Sequence, residues 1–369
     1  METFTVRRTR TGLGGRLSVT IKDVAKQANV SVATVSRALN GHENVAEAVR
    51  KRVLAVASEL RYSPHHAARS LSSRRTHTIG VVLPDLYGEF FSELMRGIDH
   101  VARERGLHLL VSSYHGNPEE QGAALRAMRG RVDGLLVMSP FVGGADTLRE
   151  NLSPGMPAVL MNGNLPDAGQ SSVNVDNYGG AREMVRHLVG AGHRRIAFIA
   201  GPANNFDACE RLRGYRDELA ESLPGAQPWV VQGDFDEASG HRAGGELLAA
   251  PSRPDAVFAA NDMMALGCLF ALGQAGLQVP RDIAITGFDD IPLARYVHPP
   301  LTTMQVDIAE LGGRALRALL DDAKPGQDEA AGGSEHRLVP QLTIRESSIA
   351  GGARKRKDAA TDGTSAGRA

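Results

Sequence analysis

Apolar residues recur at helical spacing three times within residues 20–62. Thr20, followed by Asp23 three residues later, has the pattern of a helix N-cap, and Ser31 has the same role at the start of the second segment. The dipeptide Asn40-Gly41 is a left-handed stop for that segment, and a longer third segment runs over Ala46–Leu60. The pattern predicts three helices, of which the first two are joined by a short turn.

The hydrophobic period changes from Thr78 onward. Short apolar runs there alternate with amphipathic stretches, which predicts βαβ units and parallel sheets covered by helices on both faces. About ten strands over roughly 270 residues fit two doubly wound sheets better than one. We therefore predict an α/β protein with an all-α N-terminal head and a two-lobed body. The clearest strands are Ile79–Leu83, Leu107–Val111, Gly134–Met138, Ala158–Met161, Ile196–Ala200, Val257–Ala260 and Ile283–Thr286, and the clearest helices between them are Glu89–Arg105, Gly180–Ala191, Glu210–Ala220 and Asp262–Ala275.

These periods divide the chain into five parts. Residues 1–18 have no hydrophobic period and are predicted as a flexible tail, and residues 349–369 as a disordered one. Between them we expect a helix-turn-helix domain at 19–63, a hinge helix or linker at 64–75 and the body at 76–348. Ligands of open α/β sheets bind beyond the carboxyl ends of the strands, so a ligand is expected in the crevice between the lobes.

Charge is divided unevenly along the chain, although its formal total is zero. Residues 1–75 hold 14 Lys/Arg and 5 Asp/Glu, whereas the rest of the chain holds 28 and 37. A basic head on an acidic body is expected when one module reads DNA and a separate domain carries it. A basic, solvated region without a partner is the alternative, and charge alone does not decide between them.

Composition narrows the class of protein further. With 42% hydrophobic residues the chain is expected to be globular. No apolar run has the length of a membrane span and the start lacks the pattern of a signal peptide, so no membrane partner is expected. Cys209 and Cys268 lie in apolar helical patterns, which favours a cytoplasmic location, at the nucleoid, over a disulfide framework. The scattered histidines predict neither a metal site nor a cofactor.

The first two helices form a predicted helix-turn-helix, whose second helix would place residues near its N-terminus on base edges in the major groove. Arg37 can donate two hydrogen bonds to a guanine, while Val32 and Ala33 offer apolar contact to a thymine methyl. The short donors suited to phosphates or bases are Ser31, Thr34 and Ser36. A small three-helix bundle without a DNA role would show the same pattern.

Eight stretches, in order along the chain, resemble the LacI/GalR family of bacterial transcriptional regulators. Residues 19–40 (VTIKDVAKQANVSVATVSRALN) resemble the family's head, and LRYSP at 60–64 with AARSL at 67–71 resembles its hinge. The body contributes VDNYGG at 175–180, GHRRIA at 192–197, ANDMMALG at 260–267, GFDD at 287–290 and PLTT at 300–303. Each fragment is weak alone, but the ordered series is specific.

The resemblance implies a periplasmic-binding-protein-like (type I) body and a homodimer that binds a palindromic operator, one head per half-site. It also implies paired hinge helices in the minor groove, where Leu71 would wedge into the central base step and Ala68 would lie at the helix contact. Apolar wedges of this kind unstack and kink DNA. An ordinary linker residue is the alternative for Leu71. Further expected DNA contacts are Thr20, Asn40 and Tyr62.

The resemblance also implies an effector site in the body. Arg211 matches an arginine that holds ligand hydroxyls or a carboxylate, and Asp289 matches an acid that accepts hydrogen bonds from hydroxyls. Polar groups around flat apolar faces suit a sugar or nucleoside ring, and a sugar is the effector we expect. The remaining expected ligand residues are Asp85, Phe90, Asn162, Phe235 and Asn261.

Structural alternatives remain for several of these residues. Arg211 and Asp289 would also fit a buried ion pair, Asn261 a helix cap, and Phe91, the neighbour of Phe90, a core residue. The sequence departs from the family at Tyr87-Gly88-Glu89, near the expected mouth of the pocket, so a relative's effector does not transfer.

The sequence therefore predicts a sequence-specific DNA-binding regulator, a repressor by its resemblance, that is controlled by a small polar effector. A two-lobed sugar-binding protein of a transporter is one rival, but it would need export. An enzyme acting on a sugar or nucleoside is the other, because fold alone does not exclude it. No nucleophile elbow, phosphate loop or metal-ligand cluster is found in the sequence, so an enzyme is not expected.

Overall fold

The computed structural model describes residues 19–39, 44–62, 75–141, 144–153, 155–163, 170–322 and 333–349. The chain divides into two compact units, Met1–Thr76 and His77–Ala369. The first is a small helical head and the second a large α/β body. The expected tail at 1–18, nearly all of the expected hinge and of the C-terminal tail, and Asn40, Ala68 and Leu71 lie outside the described residues.

Three helices form the head: α1 (Ile21–Ala28), α2 (Val32–Leu39) and α3 (Glu47–Glu59). The predicted cap of α1 is present, because the Asp23 carboxylate accepts hydrogen bonds of 2.8 Å from both the backbone N–H and the hydroxyl of Thr20. Ser31 caps α2, since its Oγ accepts from the Thr34 N–H at 3.1 Å. The helices enclose a small apolar core that includes the fully buried Val24, Val35 and Val53.

The first lobe of the body is built on a six-stranded parallel sheet. Its strands are β1 (Thr78–Leu83), β2 (His108–Ser113), β3 (Gly134–Met138), β4 (Ala158–Met161), β5 (Ser171–Val175) and β11 (Glu335–Leu338). They lie in the order β11-β5-β4-β3-β1-β2. Its helices are α4 (Glu89–Glu104), α5 (Pro118–Met128), α6 (Gly144–Asn151) and α11 (Ile308–Asp322). The last helix and strand return to this lobe from the end of the chain, so the lobe is not one continuous segment.

The second lobe repeats this architecture. Its strands are β6 (Ile196–Ala200), β7 (Trp229–Gln232), β8 (Ala256–Ala259), β9 (Ala284–Asp289), β10 (Thr302–Gln305) and β12 (Gln341–Thr343). Their order is β12-β10-β9-β8-β6-β7, and β12 alone is antiparallel to its neighbour. Its helices are α7 (Asn177–Gly190), α8 (Phe206–Ser222), α9 (Glu237–Ala249), α10 (Asp262–Gln274) and a 3-10 turn, Pro292–Arg295.

The predicted fold class and each of the clear strands and helices are confirmed, with bounds shifted by a few residues. The sequence pattern did not single out β5, β7, β10, β11 and β12. All five lie at or next to the edge of a sheet, and β5 and β11 alternate buried or half-buried with more exposed residues rather than forming an apolar run. No helix in the described ranges is long and apolar enough to cross a membrane.

Close backbone contact joins α9 to α10, the helix that begins beside the crevice. A Cβ on Gly240 would lie 2.1 Å from the Met264 carbonyl oxygen, and one on Gly267 would lie 1.9 Å from the Glu237 carbonyl oxygen. Real Cβ atoms do not approach backbone this closely, so only glycine allows this helix spacing. Gly245, one and a half turns after Gly240 on the same helix, faces open space.

We expect Gly240→Ala to lower the free energy of unfolding by about 1–3 kcal/mol, because the added methyl forces α9 away from α10. Gly245→Ala is the matched control and should raise it by about 0.5–1 kcal/mol through lower chain entropy. Fluorescence of the single tryptophan, Trp229 on β7, reports unfolding of this lobe. Equal effects of the two substitutions would contradict the packing argument.

Candidate functional site

A cavity lies between the two lobes of the body, at the carboxyl ends of the strands in both sheets. Its volume is about 640 Å³, including space open to solvent at its mouth. Residues that follow β1, β3 and β4 line one side, and residues that follow β6, β7, β8 and β9 line the other. Six of the seven expected ligand residues line it, namely Phe90, Asn162, Arg211, Phe235, Asn261 and Asp289.

Asp85 is the seventh, and the structure places it outside the cavity. Its Oδ1 accepts hydrogen bonds from the backbone N–H groups of Leu86, at 2.6 Å, and Tyr87, at 3.1 Å. The carboxylate therefore closes a local turn on the surface, which is a common role for an aspartate at the end of a strand. The expectation that Asp85 faces the ligand does not agree with this geometry.

Arg211 is the centre of the hydrogen bonding in the cavity, and its side chain is buried. Its Nε donates to Asn177 Oδ1 at 2.8 Å and its Nη1 donates to the Ala260 carbonyl oxygen at 2.5 Å. The guanidinium also lies over the Phe288 ring, 3.9 Å from the ring centre. One side chain on α8 is thereby attached to the ends of three other elements, α7, β8 and β9.

Asp289 is the ionic partner of Arg211, since its Oδ1 lies 3.1 Å from Nη2. Apart from this contact with Arg211, no hydrogen-bond donor reaches the buried Oδ1. Burial raises the pKa of Asp289 to about 6, although the Arg211 charge acts in the opposite direction. The expected alternative of an ion pair is thus present, in a place where a ligand hydroxyl or amine can also reach the carboxylate.

Asp207 lines the same cavity, and the sequence analysis missed it. Its Oδ1 accepts a hydrogen bond of 2.8 Å from Asn177 Nδ2, so Asn177 links Asp207 to Arg211. Burial raises the pKa of Asp207 to about 6; Arg211 lowers it and Asp289 raises it. Its position four residues before Arg211, on the same face of α8, was the signal that could have revealed it.

The two expected asparagines differ in what remains available to a ligand. Asn261 caps α10, because its Oδ1 accepts from the Met264 N–H at 3.0 Å while its Nδ2 donates to the Phe235 carbonyl oxygen at 2.9 Å. Asn261 is therefore a helix cap, which was the structural alternative for this residue. Asn162 is 2% exposed and its Oδ1 has no hydrogen-bond partner, which leaves an acceptor at the cavity wall.

Aromatic side chains form the apolar walls. Phe90 and Phe91 both line the cavity, at 5.4 Å between ring centres and edge to face, so Phe91 is not solely a core residue. Phe235 lies on the opposite side, over Gly201, where a Cβ would come within 2.6 Å of its ring. Flat apolar faces beside polar groups suit the faces and edges of a small polar ring.

Three lining residues have left-handed backbone conformations that few residues other than glycine adopt. Their φ angles are 44° for Asn162, 65° for Phe235 and 112° for Asp289. Each such residue costs on the order of 1–3 kcal/mol and is held only where the surroundings fix it. All three lie at or just after strand ends around one cavity. This indicates that the strain is kept because it directs these side chains towards the cavity.

The unusual residues at the mouth connect the two lobes. The Tyr87 hydroxyl lies 3.3–3.4 Å from the Glu237 carboxylate oxygens, and Glu89 Oε2 accepts from the Leu293 N–H at 2.8 Å. Tyr87 and Glu89 precede or begin α4 of the first lobe, whereas their partners begin α9 and the 3-10 turn of the second. Both contacts therefore join the first lobe to the second.

In the head, the residues expected at DNA occupy one exposed region of α2. Val32, Ala33 and Arg37 are exposed, with Val32 at 41%. Ser31 and Thr34 lie beside them, their hydroxyls 2.9 Å apart, and Ser36 is half-buried. Thr20 is exposed at the start of α1, and Tyr62 is half-buried, its N–H donating to the Ala57 carbonyl oxygen at 2.8 Å.

The arrangement in the body suits binding rather than chemistry. Among the residues that the structure describes, no cluster of three or more His, Cys, Asp or Glu has the geometry of a metal site. The cavity combines one guanidinium, two carboxyls and a free amide oxygen with three phenyl rings. Such a set orients a polar ring by hydrogen bonds and stacks on its faces.

Comparison with known proteins agrees with both units. Residues 20–65 match the bacterial regulatory proteins of the lacI family, and residues 185–348 match a periplasmic binding protein-like domain. The chain is 36% identical over 336 residues to the Escherichia coli HTH-type transcriptional repressor PurR, covering 89% of this chain and 97% of that one.

Solved structures give the same result. The Lac repressor dimer bound to operator and the anti-inducer ONPF has a TM-score of 0.81 at 31% identity, covering 90% of this chain and 100% of that one. The complex of the transcriptional regulator CelR with cellobiose has a TM-score of 0.65 at 34% identity, covering 89% and 99%. These relatives are regulators rather than enzymes.

The raised pKa of Asp289 predicts a pH dependence. Because the pKa of Asp289 is higher in the folded than in the unfolded protein, the folded protein holds the proton more tightly. The contribution of this proton to the free energy of unfolding is therefore full below about pH 4 and is lost as the pH rises through about 6. The difference in unfolding free energy between wild type and Asp289→Asn should therefore fall by about 3 kcal/mol over that range, measured by denaturant unfolding with Trp229 fluorescence.

Asp282→Asn is the control, because a hydrogen bond from the Gln278 backbone lowers the pKa of Asp282, the first of several causes. The difference in unfolding free energy between wild type and Asp282→Asn should therefore increase with pH, opposite to the change expected for Asp289→Asn. A flat profile for Asp289→Asn would contradict the assignment.

Proposed function

The chain belongs to the LacI family of bacterial transcriptional regulators, and we propose that it is a repressor whose operator affinity is controlled by a sugar bound between the two lobes. The family accounts for a DNA-binding head and a ligand-binding body. The single observation that carries the choice of effector is the cavity at the strand ends, where buried hydrogen-bonding groups face aromatic walls.

The head supports sequence-specific DNA reading. The exposed side of α2 presents a long cation, Arg37, beside the apolar Val32 and Ala33. An arginine can donate two hydrogen bonds to the major-groove edge of a guanine, and small apolar groups fit a thymine methyl. Thr20, Ser31, Thr34, Ser36 and Tyr62 would position the head on phosphates and neighbouring bases, and Asn40, outside the described residues, is proposed to join them.

The cavity supports a sugar. Ring hydroxyls can donate to Asp289, Asp207 and Asn162 Oδ1, while the ring faces stack on Phe90, Phe91 and Phe235. The size suits a mono- or disaccharide, since ligand cavities typically span about 300–1,000 Å³. A related structure, that of CelR, holds cellobiose.

The proposed mechanism couples the cavity to DNA through the lobes. A ligand that prefers one lobe arrangement shifts the population towards it, and family resemblance suggests a homodimer whose two heads bind a palindromic operator in the cytoplasm, at the nucleoid. Ala68 and Leu71, outside the described residues, are proposed at the paired hinges. Coupling of this kind is usually worth about 1–3 kcal/mol.

Arg37→Ala should weaken operator binding by about 1–3 kcal/mol and relax the preference at one base pair in each half-site, because a guanine contact is lost. The measurement is binding to the chain's own upstream DNA and to a set of single-base variants of the protected site. Arg52→Ala, exposed on α3, is the control and should leave the base preference unchanged. An equal loss on every sequence would assign Arg37 to phosphates instead.

Asp289→Ala should abolish the effect of a sugar on operator occupancy, because the carboxylate that receives ring hydroxyls is removed. The measurement is operator binding with and without a panel of sugars and nucleobases, first with wild type and then with the variant. Asp282→Ala, exposed and remote from the cavity lining, should respond as wild type does. A normal dose response in Asp289→Ala, or a wild type that responds only to nucleobases, would contradict the sugar site.

A further inference from the structure

The charge inside the cavity is unbalanced, and Asp207 is the reason. Among its described lining residues the charged ones are Arg211, Asp289 and Asp207. One guanidinium thus faces two carboxyls, all of them buried. Burying a second carboxyl beside an ion pair already formed costs free energy, which hydrogen bonds from neutral amides offset only in part.

The donors of Arg211 are already directed at protein acceptors. Nε and Nη1 each donate to an oxygen of the protein, at Asn177 and Ala260, and Nη2 faces Asp289. The acceptors are less well supplied, because Asn162 Oδ1 is buried without a hydrogen-bond donor and Asp289 Oδ1 is approached only by Arg211. Asp207 is better supplied, since Asn177 Nδ2 donates to its Oδ1 and the Asn162 side chain also donates to its carboxylate. The cavity therefore has more acceptor capacity than donors of the protein satisfy, and the donors of a ligand can fill it.

We propose that Asp207 receives a hydrogen-bond donor of the effector and, as the second carboxyl beside one guanidinium, restricts the effector to uncharged or amino-bearing rings and excludes phosphorylated and carboxylated ones. This inference rests on the proposed effector site and adds the charge class of its ligand. A like charge placed against a buried carboxylate is strongly disfavoured, whereas an ammonium group restores neutrality.

A structural role for Asp207 makes a different prediction. If the carboxylate served only to hold Asn177 and, through it, Arg211, its loss would lower stability without changing which ligands bind. If it is retained for the effector, Asp207→Asn removes a buried negative charge, and the ligand-free protein should be at least as stable as wild type. The raised pKa of Asp207, due first to its burial, agrees with the second case.

The experiment uses the full chain and two matched sets of probes: glucose, glucosamine and glucose 6-phosphate, and galactose, galactosamine and galactose 6-phosphate. Affinity is measured by calorimetric titration near neutral pH for wild type, Asp207→Asn and Asp217→Asn. Asp217 lies on the same helix, but its carboxylate accepts from the Tyr178 hydroxyl outside the cavity lining, so its variant is the control. Unfolding midpoints of the ligand-free proteins are recorded in parallel.

We expect wild type and Asp217→Asn to bind uncharged or amino sugars and not the phosphates. In Asp207→Asn the affinity ratio of amino sugar to sugar phosphate should fall about tenfold or more, with an unfolding midpoint no lower than that of wild type. Binding of a phosphate by wild type as tightly as its parent sugar overturns the inference, and so does an unchanged ratio in Asp207→Asn.

Failure of the sugar proposal would look different. If no probe binds any of the three proteins, the sugar effector is contradicted, and the ligand-free midpoint then decides the role of Asp207. A midpoint several degrees below wild type in Asp207→Asn, but not in Asp217→Asn, would make the residue structural and overturn the inference as well. A midpoint at or above wild type would support a carboxyl retained for ligand binding.

Discussion

The buried pair of Arg211 and Asp289 is the interaction on which the proposed effector cavity depends. Arg211 extends from α8, and its hydrogen bonds reach Asn177 at the start of α7 and the Ala260 carbonyl beyond β8, while Asp289 ends β9. Removing two charges from water costs several kcal/mol per ion, which mutual attraction repays only in part. Burial raises the pKa of Asp289 in spite of the Arg211 charge, in agreement with this cost. The pair therefore agrees with the proposed role of both residues in ligand binding.

The backbone around this pair is also arranged at a cost in stability. Parallel strands in both lobes direct their carboxyl ends at one crevice, and three residues there accept left-handed backbone conformations so that their side chains point into it. Close helix packing through Gly240 and Gly267 then fixes α10, whose cap Asn261 holds the Phe235 carbonyl. Rigid elements thus carry strained, incompletely satisfied groups, as expected of a binding site whose ligand completes its hydrogen bonding.

Much of this was predictable from the sequence. The spacing of apolar residues predicted the helices of the head and the interior strands of the body, because those segments bury one face or both. The capping pattern of Thr20 and Asp23 predicted where the first helix begins. Strands such as β7 and β12 were missed because sheet edges carry weaker apolar patterns. Arg211 and Asp289 were proposed through family resemblance. Asp207 was missed because the resemblance did not include it, and only the folded structure shows that its side chain lines the cavity. Asp85 was misplaced because an aspartate after a strand fits a pocket and a turn equally well in sequence.

A double-mutant cycle across the buried pair tests this account most directly. Arg211→Met, Asp289→Asn and the combined variant would be unfolded in denaturant at neutral pH, with Trp229 fluorescence as the readout. The account predicts a coupling energy of about 1–3 kcal/mol, with the combined variant more stable than the two single effects would give if they added. Single effects that add to within about 0.5 kcal/mol would contradict it, because the two side chains would then not act as one unit.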